Sequence, residues 1–160
     1  MDLMDRMLEH DRWATSTLID VSRDLSDEQL DRPFDIGLGS LRATFGHIIV
    51  NVEFWTRLMT GQPIEYRELA DASIANLTQQ HVRTYAAFEA LARDLRDDQR
   101  LDGTYLDHYE VNKSFGGTIL HVVLHNAEHR VEAVHILQRL RLPNVPEVDH
   151  GLWDYEMHNT

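Results

Sequence analysis

Four long segments of this chain carry apolar residues at alternating steps of three and four, and this pattern constrains the fold more than any other feature. Such spacing places the apolar side chains on one face of an α-helix. The segments run from about Leu3 to Leu25, Ser40 to Gly61, Ser73 to Arg96 and Thr118 to Arg141. Helices of this length with narrow apolar stripes are typical of a four-helix bundle. We therefore predict an all-α four-helix bundle that forms a single domain over residues 1–160.

Polar and glycine residues mark where several of these helices begin and end. Ser26 and Gln29 have the spacing of a capping box and predict a short extra turn after the first segment. Ser40 is placed to cap the second helix at its N-terminus, and Gly61 follows the last turn of that helix. For the fourth helix we predict Thr118 as the N-cap.

Two stretches outside the four helices carry predictions of their own. The residues "TYLDHY" and the turn-like "EVNK", between the third and fourth helices, favour a short β-ribbon. Residues 143–160 follow the helix-ending Pro143, and we expect an irregular C-terminal tail with one turn that packs Trp153 on the body. Within the fourth helix, the periodicity places five apolar residues on one face: Leu120, Leu124, Ala127, Val131 and Val134.

Charge and cysteine content narrow the classes of function. The net charge is −12 and Lys113 is the single lysine, so we expect binding neither to nucleic acid nor to an anionic membrane. With no cysteine, the chain has no disulfide, thiolate ligand or cysteine nucleophile. The absence of cysteine is compatible with a reducing cytoplasm, where we expect the protein to act. Any transition-metal site must use His, Asp or Glu.

The stretch "HVVLHNAEHRVEAVH", residues 121–135, contains four of the ten histidines. His121, His125 and His129 are spaced four apart, and each step returns to nearly the same helix face about 6 Å further along the axis. Two neighbours can therefore bind one ion, whereas all three span about 12 Å. The pairs 121/125 and 125/129 both stay open on spacing alone. His47, beside the apolar stripe of the second helix, is the natural third ligand.

Three histidines would leave a coordination position open, as in catalytic zinc sites. Buried carboxylates near such a site orient the imidazoles. Asp11, which interrupts an apolar stripe, and Glu53, close to His47 in sequence, are candidates for that role, and Glu53 is also a candidate base. Glu132, one turn beyond His129, is a candidate fourth ligand, general base or orienting partner.

Better-known metal motifs do not fit this sequence. The HExxH motif fails because Asn126 stands where the catalytic glutamate would be. The stretch "EAVH" at 132–135 matches half of a di-iron site, but the second copy at 147–150 lies in the tail. The sequence contains no phosphate-binding loop and no G-x-S-x-G nucleophile elbow.

Three stretches resemble the DinB-like family of metal-binding four-helix bundles, over nearly the whole chain. They are "HDRWATSTLIDVSRDLSDEQL" in the first helix, "GSLRATFGHIIVNVEFW" in the second and "GGTILHVVLHNAEHR" leading into the fourth. The family pattern has one histidine in the "GHI" stretch and two in an H-x-x-x-H-R stretch. The resemblance therefore implies His47, His125 and His129 as the metal ligands.

The resemblance also implies a divalent metal, zinc before nickel, iron or manganese, and a metal-dependent enzyme. Members are described as hydrolases, and relatives transfer or isomerise substrates with a low-molecular-weight thiol such as mycothiol, bacillithiol or glutathione. We favour thiol S-transfer on a small molecule over hydrolysis. The alternatives are a non-catalytic bundle that binds a structural metal or a small ligand, and a partner surface whose histidines bind nothing. We expect a homodimer, since bundles of this kind often associate through exposed helix faces.

Overall fold

Six helices and a two-stranded ribbon form the part of the chain that the computed structural model describes, residues 1–64, 69 and 72–159. In chain order the elements are α1 (Leu3–Val21), α2 (Asp27–Leu30), α3 (Leu41–Met59), α4 (Ile74–Asp97), β1 (Thr104–Leu106), β2 (Asn112–Ser114), α5 (Phe115–Arg139) and α6 (His150–Asn159). Of the long helices, α1 and α3 each pack against both α4 and α5. The predicted all-α bundle with a short β-ribbon is confirmed.

Local signals set most of the element boundaries. Ser26 and Gln29 form the predicted capping box at α2. The hydroxyl of Ser40 caps α3, and Gly61 adopts a φ of +67° just after that helix ends. The ribbon pairs β1 antiparallel to β2 and leads directly into α5.

The N-terminus of α5 differs from the prediction. Ser114, the last residue of β2, is the N-cap, and its hydroxyl accepts the Gly117 N–H. Thr118 lies inside the helix and donates its hydroxyl to the Ser114 carbonyl. The prediction of Thr118 was wrong because Gly116 and Gly117 look like a helix break, yet both are helical here. This earlier start brings the first turn of α5 against the ribbon.

The end of α1 and the C-terminal tail also differ from the predictions. α1 ends at Val21, four residues before the predicted Leu25. The tail is not irregular, because residues 150–159 form α6, which begins where the Asp149 carboxylate accepts the Leu152 N–H. The predicted packing of Trp153 is confirmed, since its side chain is buried.

The predicted apolar face of α5 points largely to solvent. Leu120, Leu124 and Val131 on that face are 48–57% exposed. The face of α5 that packs in the bundle includes two polar residues, Asn126 and Arg130, which an apolar pattern cannot reveal. The apolar members of this buried face are Ile119, Val122, Val123, Ala133, Ile136 and Leu137.

None of the helices in the described ranges is long and apolar enough to cross a membrane.

A buried polar network explains why α5 is rotated about its axis so that the face with Asn126 and Arg130, and not the predicted one, packs in the bundle. Asp11 on α1 is fully buried, and its Oδ2 accepts from the Tyr85 hydroxyl and the Asn126 amide, each at 2.8 Å. Its Oδ1 pairs with the Arg130 guanidinium, which also donates to the Thr15 hydroxyl at 3.2 Å. The network joins α1, α4 and α5. The expectation that Asp11 orients the metal-binding imidazoles was wrong, since both its oxygens bind this network.

Candidate metal centre

Three imidazoles from two helices converge between α3 and α5. The Nε2 atoms of His47 and His125 lie 2.9 Å apart, and those of His125 and His129 lie 3.1 Å apart. The three ring centroids are 4.5–5.2 Å from one another. The structure thus brings together the histidine of α3 and the 125/129 pair of α5.

The helix rotation set by the buried network places the two α5 histidines. Asn126 and Arg130 point to Asp11, and each is preceded directly by a histidine, His125 and His129. Successive helical residues lie about 100° apart, so the histidines face the neighbouring groove and not the core. The polar contacts of α1 therefore position the residues that meet His47 on α3.

The donor set fits a divalent transition metal. A tetrahedral ion with metal–nitrogen bonds of about 2.0–2.1 Å holds two ligand nitrogens roughly 3.3 Å apart. The observed separations of 2.9 and 3.1 Å are close to that value. Among the described residues, His47, His125 and His129 are the group whose ligand atoms could hold an ion.

Glu132 lies behind His129. Its Oε2 is 2.7 Å from His129 Nδ1, which donates a hydrogen bond to it. The proton on Nδ1 leaves the lone pair on Nε2, the atom that faces the other two histidines. Such a carboxylate fixes the orientation and the tautomer of the ring. Because Nδ1 and Nε2 lie on opposite sides of the ring, Glu132 is placed as an orienting partner and not as the fourth ligand.

Glu53 faces another side of α3. It lies six residues beyond His47, which is about 120° around a helix. Its carboxylate pairs with Arg57 at 3.3 Å and lines a groove that includes Thr84 and Leu91 of α4. The structure does not bring Glu53 to the three histidines.

The remaining candidate histidines separate by environment. His135 is exposed on α5. His81 is buried in the bundle, as expected for a core histidine, with its Nε2 3.4 Å from the Arg12 carbonyl. His121 is exposed, and its ring centroid lies 5.5 Å from that of His125.

A cavity of about 300 Å³ lies at the N-terminal part of α5, and its lining includes His121 but none of the three histidines of the centre. The His121 ring contacts Trp55 of α3 at 5.3 Å between centroids. This cavity was not predicted from the sequence, although one signal was present: His47 and Trp55 are eight residues apart, about 80° around α3, and so lie towards the same side of that helix. The cavity is lined by Trp55, Lys113, Ser114, Gly117, Thr118 and His121.

Burial keeps two of the histidines neutral. Burial, and then the neighbouring His129 and His125, lower the pKa of His47 to about 4. Burial is also the first cause of the lowered pKa of His125, followed by His129 and His121. Neutral imidazole is the form that binds a metal, so these histidines are ready to bind at neutral pH without losing a proton.

The metal-free protein should lose stability as the pH falls from about 6.5 towards 4. The folded pKa of His47 is below its ordinary value of 6.5, so the unfolded chain binds the proton first and protonation favours unfolding. Urea unfolding across this range should show a shallower fall in unfolding free energy for His47→Gln than for the wild type. His135→Gln, at an exposed histidine, should keep the wild-type slope. Equal slopes for the wild type and His47→Gln would contradict the assignment.

Comparison with known proteins agrees with the site. No curated protein matches the chain significantly. A family model described as the DinB superfamily matches residues 10–133, a range that includes all three histidines. Because this match covers more than half of the sequence, the chain belongs to the DinB superfamily.

Proposed function

We propose that this member of the metal-binding DinB superfamily is a metal-dependent enzyme that acts on a small molecule by thiol S-transfer or hydrolysis. His47, His125 and His129 would hold one divalent ion, with zinc favoured over nickel, iron or manganese. When bound, such an ion lowers the pKa of a water or a thiol and so supplies a nucleophile at neutral pH. The observation that carries the proposal is the hydrogen bond from His129 Nδ1 to Glu132, because a Glu132 held there would not act as a fourth ligand and a bound ion would keep a position for a non-protein ligand.

The residues around the centre have separable tasks in this proposal. Glu132 holds the proton at Nδ1 of His129 and keeps Nε2 as the ligand atom. Trp55 and His121 line the cavity, and a substrate bound there would approach the centre past His121, whose ring centroid is 5.5 Å from that of His125. The cavity volume of about 300 Å³ is at the lower end of ordinary ligand pockets, which suits a small molecule. We favour thiol S-transfer because the family resemblance implies a low-molecular-weight thiol such as mycothiol, bacillithiol or glutathione.

The alternative is a non-catalytic bundle with a structural metal or a bound small ligand. Structural zinc sites are closed by four protein ligands, and Glu132 was the candidate for the fourth. The hydrogen bond between Glu132 and Nδ1 of His129 favours the enzyme over this alternative, because Glu132 would then not serve as the fourth protein ligand.

Turnover assays with the metal-loaded protein would test the proposal. Glutathione, bacillithiol and mycothiol would each be offered with a chromogenic electrophile, and a chromogenic ester would report hydrolysis. We expect turnover that needs metal and is lost in His47→Ala. The enzyme proposal fails if none of these substrates turns over and a metal-loaded crystal structure shows four protein ligands.

The single lysine gives a prediction about substrate charge. Lys113 lines the cavity, so in a chain of net charge −12 we expect it to favour substrates that carry a carboxylate. Lys113→Gln should raise KM for a carboxylated electrophile by up to about fivefold, the range of an exposed ion pair, and leave a neutral analogue unchanged. Arg141→Gln makes the same charge change beyond the far end of α5 and should affect neither substrate. If Lys113→Gln and the wild type had equal KM values for the carboxylated electrophile, this assignment would be contradicted.

We also propose that the expected homodimer uses the exposed face of α5. Leu120, Leu124 and Val131 repeat at steps of four and seven, the spacing of a helix-pairing seam, and are 48–57% exposed. Sedimentation equilibrium should give a dimer for the wild type and a monomer for Leu124→Glu. Val82→Glu, at a 59% exposed position on α4, is the control that should stay dimeric. A monomeric wild type, or a dimeric Leu124→Glu, would refute this interface.

A further inference from the structure

A tight turn between α2 and α3 lies against the carboxylate behind His129. Gly37 is in this turn with a φ of +48°, which is in the left-handed region. A Cβ added to Gly37 would overlap both oxygens and the carboxyl carbon of Glu132. The backbone of Gly37 therefore occupies a place where any side chain would collide with the group that orients a proposed metal ligand.

The turn is fixed in this place by several contacts. The Gly39 N–H donates to the Ile36 carbonyl at 2.9 Å, and the Phe34 N–H donates to the Gly39 carbonyl at 2.7 Å. Phe34 and Ile36 also pack against the apolar core. Asp35 pairs with Arg139 at 2.5 Å, two turns beyond Glu132 on α5. Because these contacts hold the turn on both sides of residue 37, it cannot easily retreat from Glu132.

We propose that Gly37 is a positioning residue for the metal centre. Its lack of a side chain lets Glu132 reach Nδ1 of His129, which sets the orientation of that imidazole and keeps Nε2 as the ligand atom. The inference rests on the proposed function, since it requires the three histidines to bind metal. Partners of this kind typically change metal affinity by about 10- to 100-fold.

A neighbouring glycine provides the matched control. Gly39 also has a positive φ, +86°, so alanine is strained at either position. A Cβ at Gly39 would meet only the Phe34 carbonyl oxygen, at 3.8 Å. Gly37→Ala and Gly39→Ala therefore share the backbone penalty, and only Gly37→Ala collides with Glu132.

Zinc affinity, measured by competition with a chromophoric chelator, tests the inference. Gly37→Ala and Glu132→Ala should each weaken binding by about 10- to 100-fold, and the double variant should be no weaker than Glu132→Ala alone. Gly39→Ala should bind zinc as the wild type does, although thermal unfolding should show a loss of stability for both glycine variants. Gly37→Asn, which tolerates a positive φ better than alanine, keeps the test valid if Gly37→Ala folds poorly.

The outcomes separate the two proposals. If the wild type and His47→Ala bind zinc equally, the proposed metal site itself fails. If the wild type binds through the histidines but Gly37→Ala and Gly37→Asn match Gly39→Ala, only the role of Gly37 is overturned. Losses that multiply in the Gly37→Ala/Glu132→Ala double variant would likewise show that Gly37 does not act through Glu132.

Discussion

Replacing Asp11 with alanine should destabilise the fold by about 3–5 kcal/mol, the cost of leaving a buried charge without its partner. Arg130 is 5% exposed and pairs with the fully buried Asp11, so the variant strands its guanidinium in the core. Tyr85 and Asn126 lose an acceptor in the same substitution. For a chain of this length, we expect the melting temperature to fall by roughly 10 °C or more.

An exposed ion pair that also involves α5 is the control for this prediction. Asp35 pairs with Arg139 of α5, but its side chain is 91% exposed, so Asp35→Ala should cost no more than about 1 kcal/mol. Asp11→Leu combined with Arg130→Met should recover part of the loss, because apolar side chains can replace a buried ion pair while Tyr85 and Asn126 still lack their acceptor. If urea unfolding finds Asp11→Ala no more harmful than Asp35→Ala, the network does not fix α5 as described.

His125→Ala should reduce zinc affinity by at least about 100-fold, because losing a direct ligand costs more than losing an orienting partner. The Nε2 of His125 lies within 3.1 Å of both other Nε2 atoms, so it is the central member of the group. Chelator competition with tag-free protein measures the change directly.

Two other histidines of α5 provide the controls for that substitution. His135→Ala changes an exposed residue, and His121→Ala changes a wall of the cavity. Both variants should retain wild-type zinc affinity. If His121→Ala lost zinc as His125→Ala does, the 121/125 pair that spacing left open would be the ligand pair.

Much of the fold could be predicted from the sequence because its signals are local. The apolar periods predicted the four long helices, and the Ser26/Gln29 capping box and the Ser40 cap follow from side-chain hydrogen bonds within one turn. The error about which face of α5 is buried has a non-local cause. The rotation of α5 depends on Asp11, which is 115 residues from Asn126 in sequence, and no local pattern reports such a contact.

The candidate site was also predictable only in part, because some of its features follow from local spacing and others from contacts between distant residues. Spacing showed that two neighbouring histidines of one helix can share an ion, but the choice of His125 and His129 came from the family resemblance. The role of Glu132 depended on which side of His129 it reaches, and this is set by a turn whose Gly37 is 95 residues away in sequence. The cavity wall at Trp55 and Lys113 needs the packing of α3 against α5 and the ribbon.

The most direct test of the central claim is the absorption spectrum of tag-free protein titrated with Co²⁺ and then with a small thiol. We predict one tightly bound Co²⁺ per chain, no tight binding in His47→Ala, and a sulfur-to-cobalt charge-transfer band when the thiol is added, because three histidine ligands would leave a position open for the thiol. A wild type and a His47→Ala variant that bind Co²⁺ with the same stoichiometry and spectrum would contradict this prediction.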